Sequence, residues 1–195
     1  MIEAYQRGLE TFAAGGGDPS RVHSVASFFV SRVDTEVDSR LEAIGSDRAR
    51  SMQGRAAVAQ ARLAYRLFSE RFSGPRWDGL GASGAILQRP LWASTSTKNP
   101  AYPDTLYVDE LIGPHTVNTL PEKTIAAFED HGRVERTIDT GPQQAQEVMD
   151  GLASLGIDME DVGKVLEDRG VDSFHESFQE VLEALEAKVR ALALR

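Results

Sequence analysis

Three short segments rich in β-branched and aromatic residues, separated by much longer helical segments, constrain the fold of this chain more than any other feature. Residues 22–34 (VHSVASFFVSRVD) form a nearly continuous apolar run, which is typical of a strand buried on both faces of a parallel sheet. Residues 90–97 (PLWASTST) and 115–120 (HTVNTL) predict two further strands. Because helical segments separate the three strands, the strands are expected to run parallel, joined by right-handed crossovers. The sequence therefore predicts an α/β fold.

The helical segments have recognisable patterns and ends. Helices are predicted over residues 2–14, 34–44, 47–72, 105–111 and 121–131, and from residue 142 the pattern is helical only. Residues 74–84 are rich in glycine and predict a loop. The motif Gly79-x-Gly81-x-x-Gly84 matches a dinucleotide fingerprint in letters, but a strand follows where that fingerprint requires a helix.

A last helix is predicted near the end of the chain. Ser173-x-x-Glu176 has the spacing of a capping box, which marks a helix start. An apolar stripe at helical spacing follows and predicts a helix that packs on its own domain. The stripe consists of Phe174, Phe178, Val181, Leu182, Leu185, Val189 and Leu192.

The predicted sheet is too small to be complete. A parallel sheet of three strands has two open edges, and the first strand carries Phe28, Phe29 and Val30 with no charge to protect its edge. Such a sheet is expected to be part of a larger one.

Composition excludes several classes of protein. The formal net charge of −9 argues against nucleic-acid binding, and no apolar run approaches the roughly 20 residues that span a bilayer. Glu3 and Arg7 interrupt any signal peptide, and the absence of cysteine fits a cytoplasmic protein without disulfides or thiolate chemistry. The four histidines lack metal-ligand spacing, so no metal site is predicted. Any amine chemistry would have to use one of four lysines: Lys98, Lys123, Lys164 and Lys188.

Polar and cationic residues concentrate where the first two predicted strands end. Ser94, Ser96 and Lys98 would share one face of the second strand, and Arg32 would end the first. Ligands bind at the carboxyl ends of parallel strands. A phosphate monoester would suit these groups, with Arg32 as a bidentate donor, Lys98 as a point charge and Ser96 as a neutral donor. The alternative is that Arg32 and Lys98 pair with Asp34 or other surface carboxylates.

Two blocks of sequence resemble one enzyme family. Residues 27–34 (SFFVSRVD) and 89–121 (RPLWASTSTKNPAYPDTLYVDELIGPHTVNTLP) resemble transaldolase of the longer bacterial type, which has an extended C-terminal helical region. The resemblance covers essentially the whole chain and matches the C-terminal part of the family, from the helix after barrel strand five onward. It implies that residues 1–141 form strands six to eight of a (β/α)8 TIM barrel. Residues 142–195 would then form a helical extension packed on the barrel.

The resemblance also implies a function. The family transfers a dihydroxyacetone unit between ketose and aldose phosphates in the pentose phosphate pathway, through a lysine Schiff base and without cofactor or metal. Its strand-six serine and phosphate-binding arginine fall on Ser27 and Arg32. Its strand-seven phosphate-binding pair falls on Ser96 and Lys98, a lysine where many relatives have arginine. A sugar phosphate is therefore the expected substrate.

The chemical half of the family site lies on earlier barrel strands. The family's Schiff-base lysine and acid–base carboxylates would precede Met1, so no catalytic residue is predicted here and the chain alone is expected to be inactive. Another polypeptide could then supply the missing strands. The alternatives are a non-catalytic phosphosugar-binding or interaction module, and a free-standing aldolase with Lys98 as nucleophile.

Overall fold

The computed structural model describes residues 1–193. The chain divides into two compact units, Met1–Ile157 and a second that begins at Asp158. The first unit contains a parallel sheet and eight α-helices among the described residues, and the second is one long helix. None of the described helices is both long enough and apolar enough to cross a membrane. The predicted boundary at residue 142, between a partial barrel and a helical extension, stays a prediction.

The sheet has three parallel strands in the order β1-β2-β3. They are β1 (Ser24–Phe29), β2 (Gln88–Ala93) and β3 (Val117–Asn118). Ser24 of β1 lies opposite Gln88 of β2, and Leu91 of β2 lies opposite Val117 of β3. The prediction of an α/β fold with parallel strands is therefore confirmed, whereas the assignment to barrel strands six to eight stays a prediction.

The first two strands end earlier than predicted. Residues 31–34 belong to helix α2 (Ser31–Ile44), because Val33, Val37 and Leu41 recur at helical spacing and are buried. Strand β2 ends at Ala93, where the next residue, Ser94, adopts a left-handed backbone with a φ of 54°. Two expectations were therefore wrong. Arg32 lies in the first turn of a helix, and residues 94–98 lie in a loop rather than along one face of a strand.

One sheet face is packed and the other is open. Side chains alternate along β1, so that Ala26 and Phe28 point to the packed face while Val25 and Phe29 are 42% and 45% exposed. On the packed face the ring of Phe28 meets that of the buried Trp92 edge-on, with centroids 5.9 Å apart. The expectation that the first strand is buried on both faces was wrong.

The remaining helices of the first unit follow the predicted pattern with three differences. The predicted helix over residues 47–72 is two helices, because the chain turns at Gly54 with a φ of 70°. The predicted loop at 74–84 contains a helix, whose Trp77 packs edge-on against Phe72 at 4.7 Å. The helix predicted over 105–111 spans four residues. These helices are α1 (Ile2–Ala14), α3 (Asp47–Arg50), α4 (Ala56–Arg71), α5 (Pro75–Ala82), α6 (Leu106–Asp109), α7 (Glu122–His131) and α8 (Pro142–Ser154).

The second unit is helix α9 (Met159–Ala193). Its start is capped by Asp158, whose carboxylate accepts hydrogen bonds from the backbone N–H groups of Glu160 and Asp161. Ser173 and Glu176 lie inside this helix, so the predicted capping box was wrong. The apolar stripe runs along α9 as predicted, and its packing on the barrel stays a prediction.

Candidate phosphate-binding site

Hydrogen bonds join the three strand ends to one another. The backbone N–H of Ser31 donates to the carbonyl of Ser94 at 2.9 Å, which fastens the start of α2 to the loop after β2. The buried hydroxyl of Thr95 donates to the carbonyl of Thr119 at 2.8 Å, which fastens the same loop to the end of β3. The segments that carry the predicted site residues therefore share one edge of the sheet.

The loop after β2 leaves the strand through a strained residue. Ser94 is one of two non-glycine residues among those described with a positive φ, at 54°. Such a conformation costs energy for an ordinary side chain and persists where the surroundings hold it in place. The bond from Ser31 to the carbonyl of Ser94 is such a restraint.

Ser96 and Lys98 are brought together, as the sequence predicted, although by a loop. The Nζ atom of Lys98 donates a hydrogen bond to Oγ of Ser96 at 3.0 Å. Ser96 is half-buried and Lys98 is exposed, so the hydroxyl and the ammonium are within reach of one small ligand that enters from solvent.

Arg32 and Ser27 lie on the side of the open sheet face. The guanidinium of Arg32 is exposed and stacks over the ring of Phe29, 5.0 Å from its centroid, in a cation–π contact. Ser27 is exposed and points to the same face as Phe29, two residues later in β1. An ion pair between Arg32 and Asp34, one of the sequence alternatives, was wrong, because Asp34 bonds elsewhere.

Asp34 is buried and accepts two hydrogen bonds. One carboxylate oxygen accepts from the hydroxyl of Tyr107 at 2.7 Å and the other from the backbone N–H of Ala57 at 2.8 Å. Burial raises the pKa of Asp34 from 3.8 to about 6, and these two bonds oppose the increase. Burial also raises the pKa of the Tyr107 phenol, and the negative charge of Asp34 adds to that increase.

Asp38 repeats this arrangement one helical turn later. Its carboxylate accepts from the hydroxyl of Tyr102 at 2.5 Å and from the backbone N–H of Gly54 at 2.9 Å. Burial raises the pKa of Asp38 above its ordinary value. Sequence reasoning missed both carboxylates and both tyrosines. The available signal was the spacing of Asp34 and Asp38, which places them on one face of a helix together with buried apolar positions.

A cleft of about 220 Å³ lies between α2 and the loop after β2. It contains Lys98 on one side and α2 on the other. The residues lining it are Asp34, Thr35, Asp38, Ser39, Glu42, Lys98, Asn99, Tyr102 and Tyr107. Across residues 1–193, no cluster of three or more histidine or acidic side chains is arranged to hold a metal ion. Of the predicted site residues, the structure brings Lys98 and Ser96 together, whereas Arg32 and Ser27 lie on the side of the open sheet face and do not line this cleft.

Comparison with known proteins identifies close relatives. The family model Transaldolase/Fructose-6-phosphate aldolase matches residues 2–185. The transaldolase of Mycolicibacterium smegmatis is 54% identical over 192 residues, which cover 98% of this chain and 52% of the relative. The transaldolase of Mycobacterium ulcerans is 54% identical over 195 residues, which cover 99% of this chain and 52% of the relative. Transaldolase 2 of Streptomyces coelicolor is 47% identical over 194 residues, which cover 99% of this chain and 52% of the relative. The chain thus spans about half the length of the curated relatives it matches.

Proposed function

Because this chain belongs to the transaldolase/fructose-6-phosphate aldolase family, we propose that it forms the phosphate-binding side of a transaldolase site. The reaction is the transfer of a dihydroxyacetone unit between ketose and aldose phosphates in the pentose phosphate pathway. Arg32, Ser96, Lys98 and Ser27 bind the substrate, the first three at its phosphate group. The observation that supports the proposal is the hydrogen bond between Lys98 and Ser96 in the loop after β2, together with the exposed guanidinium of Arg32 in the first turn of the helix after β1.

The chemistry of these groups suits a phosphate monoester. The Lys98 ammonium and the Ser96 hydroxyl, 3.0 Å apart, offer a charged and a neutral donor to adjacent phosphate oxygens. The Arg32 guanidinium stacks on Phe29, a contact that orients the guanidinium without neutralising its charge. A guanidinium oriented in this way suits bidentate contact with two phosphate oxygens.

The bond-forming half of the site is proposed to come from polypeptide outside the 195 residues. That polypeptide contributes the Schiff-base lysine and the acid–base carboxylates, and no metal or cofactor takes part. The complete enzyme would be a cytoplasmic (β/α)8 barrel. Residues 1–141 would contribute its strands six to eight, and residues 142–195 would form a helical extension packed on it. Support comes from the open sheet face with Val25 and Phe29, and from an apolar cleft of about 380 Å³ beside β1. Ile2, Phe28 and Leu67 line that cleft, which suits an additional apolar strand.

Calorimetric titration with fructose 6-phosphate tests the phosphate site. Arg32→Ala and Lys98→Ala are each expected to weaken binding by about tenfold or more, because each removes a charge-assisted hydrogen bond. Arg89→Ala is the control, since Arg89 is also an exposed arginine but lies in β2 opposite Val25, near the amino end of β1. Unchanged affinity in the Arg32 and Lys98 variants would remove these residues from the site.

Borohydride trapping tests whether the Schiff-base lysine lies outside this chain. Incubation of the chain with fructose 6-phosphate and reductant is expected to leave its intact mass unchanged. An adduct that is lost in Lys98→Ala would instead identify Lys98 as the nucleophile of a free-standing aldolase. Addition of the N-terminal half of the M. smegmatis relative is expected to produce turnover. Binding without turnover in that mixture would favour the non-catalytic module.

A further inference from the structure

We propose that Asp34 and Asp38 are positioning residues that hold the loop carrying Ser96 and Lys98 against the helix that carries Arg32. The inference rests on the proposed phosphate-binding function, and it adds two carboxylate–tyrosine pairs that lie beside the ligand rather than on it. We call the four side chains of Asp34, Asp38, Tyr102 and Tyr107 the carboxylate clamp.

Each carboxylate of the clamp joins three segments of the chain. One oxygen of Asp38 accepts from the backbone N–H of Gly54, which lies between α3 and α4. One oxygen of Asp34 accepts from the backbone N–H of Ala57, in the first turn of α4. The other oxygen of each carboxylate accepts from a phenol of the segment after β2. Because Asp34 and Asp38 are four residues apart, both act from one face of α2. The clamp therefore fastens two separate points of the later segment to the same helix.

Tyr102 is close to Lys98 and is held on two sides. Its backbone N–H donates to the carbonyl of Asn99 at 3.1 Å, which forms a turn directly after Lys98. Its ring packs against Gly54, where an added Cβ would lie 2.7 Å from the ring. The hydroxyl is then fixed by Asp38. Lys98 is thus four residues from an anchored side chain.

The other attachment of the loop is at its beginning. Ser94 is bonded to Ser31, and Arg32 is the next residue of α2. Ser96 and Lys98 lie between this attachment and the clamp, so both ends of their segment are tied to the helix that carries the third phosphate ligand. A loop held in its binding conformation spends no binding energy on being ordered, and a loosened loop binds in proportion to the fraction that is correctly placed.

The test removes the phenol hydroxyls while keeping the rings. Tyr102→Phe, Tyr107→Phe and the double variant are compared with Tyr65→Phe in the full chain. Tyr65 is a suitable control because it is buried in α4 and its hydroxyl donates to the carbonyl of Pro114 at 3.2 Å. Amide hydrogen exchange reports the order of the loop without any ligand, and calorimetry with fructose 6-phosphate reports the phosphate site.

The double variant is expected to exchange faster at residues 94–107 and to bind fructose 6-phosphate at least about fivefold more weakly, with Tyr65→Phe unchanged in both. Unchanged exchange in the double variant would overturn the proposal, and so would faster exchange with unchanged affinity. An equal loss of affinity in Tyr65→Phe would overturn it too, because the effect would then be general destabilisation. Failure of the wild-type chain to bind fructose 6-phosphate would instead refute the proposed function, and the exchange data would still decide whether the clamp orders the loop.

Discussion

Asp34→Asn is expected to change how the stability of the chain depends on pH. Asp34 is 1% exposed, and burial raises its pKa from 3.8 to about 6. The folded state therefore binds this proton more tightly than the unfolded state does. The resulting stabilisation is fully present below the unfolded pKa and is lost as pH rises through about 6. At about 1.4 kcal/mol per pH unit, the difference between the two pKa values corresponds to about 3 kcal/mol.

Urea unfolding between about pH 5 and pH 7.5 isolates this effect. Over that range the linkage relation gives about 1.4 kcal/mol of extra stability for wild type at the acid end, because Asp34 is largely protonated near pH 5 in the folded state alone. The asparagine side chain of the variant does not titrate, so the wild-type advantage over Asp34→Asn is expected to grow by that amount as pH falls. Asp38 and His131, whose pKa values are also raised, are present in both proteins, so the comparison of wild type with Asp34→Asn reports mainly on Asp34.

The control for this prediction is Asp150→Asn, at an exposed aspartate of α8. Its stability profile is expected to run parallel to that of wild type. If the profile of Asp34→Asn also ran parallel to wild type over the same pH range, the argument that burial governs the titration of Asp34 would be refuted.

Three stability measurements by urea or thermal unfolding test the packing. Gly113→Ala is expected to cost about 1–3 kcal/mol, because the new Cβ would lie 2.1 Å from Cγ2 of Ile138. Gly79→Ala, in α5 with no atom near the new Cβ, is expected to gain about 0.5–1 kcal/mol, and a loss there would contradict the helical backbone. Leu152→Ala is expected to cost about 2–5 kcal/mol because Leu152 is fully buried in α8; a cost below about 1 kcal/mol would contradict that burial.

Parallel strands were predictable from sequence, whereas the ends of the strands were not. Three apolar segments separated by helices leave few other arrangements, and the structure has that topology. Val30 and Val33, however, fit both a continuous apolar strand and the buried side of a helix that continues to Val37. Only packing against the rest of the fold decides between the two. The helix at 75–82 has the same explanation, because the contact of Trp77 with Phe72 outweighs a glycine-rich composition.

The two cations of the candidate site were predictable from sequence, whereas the residues of the carboxylate clamp were not. Arg32 and Lys98 stand out because guanidinium and ammonium groups at strand ends have an obvious ligand. The spacing of Asp34 and Asp38 indicates a shared helix face but no partner, because acidic residues four apart on a helix usually face solvent. The partner of Asp34 lies 73 residues later in the chain, so only the tertiary fold shows the pairing.

The clamp also explains how a carboxylate can lie two residues from the arginine that is proposed to bind phosphate. An acidic side chain with a free oxygen would pair with Arg32 and repel a phosphate. Both oxygens of Asp34 are instead occupied by neutral donors, the Tyr107 hydroxyl and the Ala57 N–H, and the side chain is buried on the packed side of α2. Arg32 remains exposed over Phe29. Loss of the Tyr107 hydroxyl would leave one oxygen of Asp34 without its donor, but the carboxylate would stay buried on the side of α2 away from Arg32, so weaker phosphate binding in Tyr107→Phe would report the loop rather than competition for Arg32.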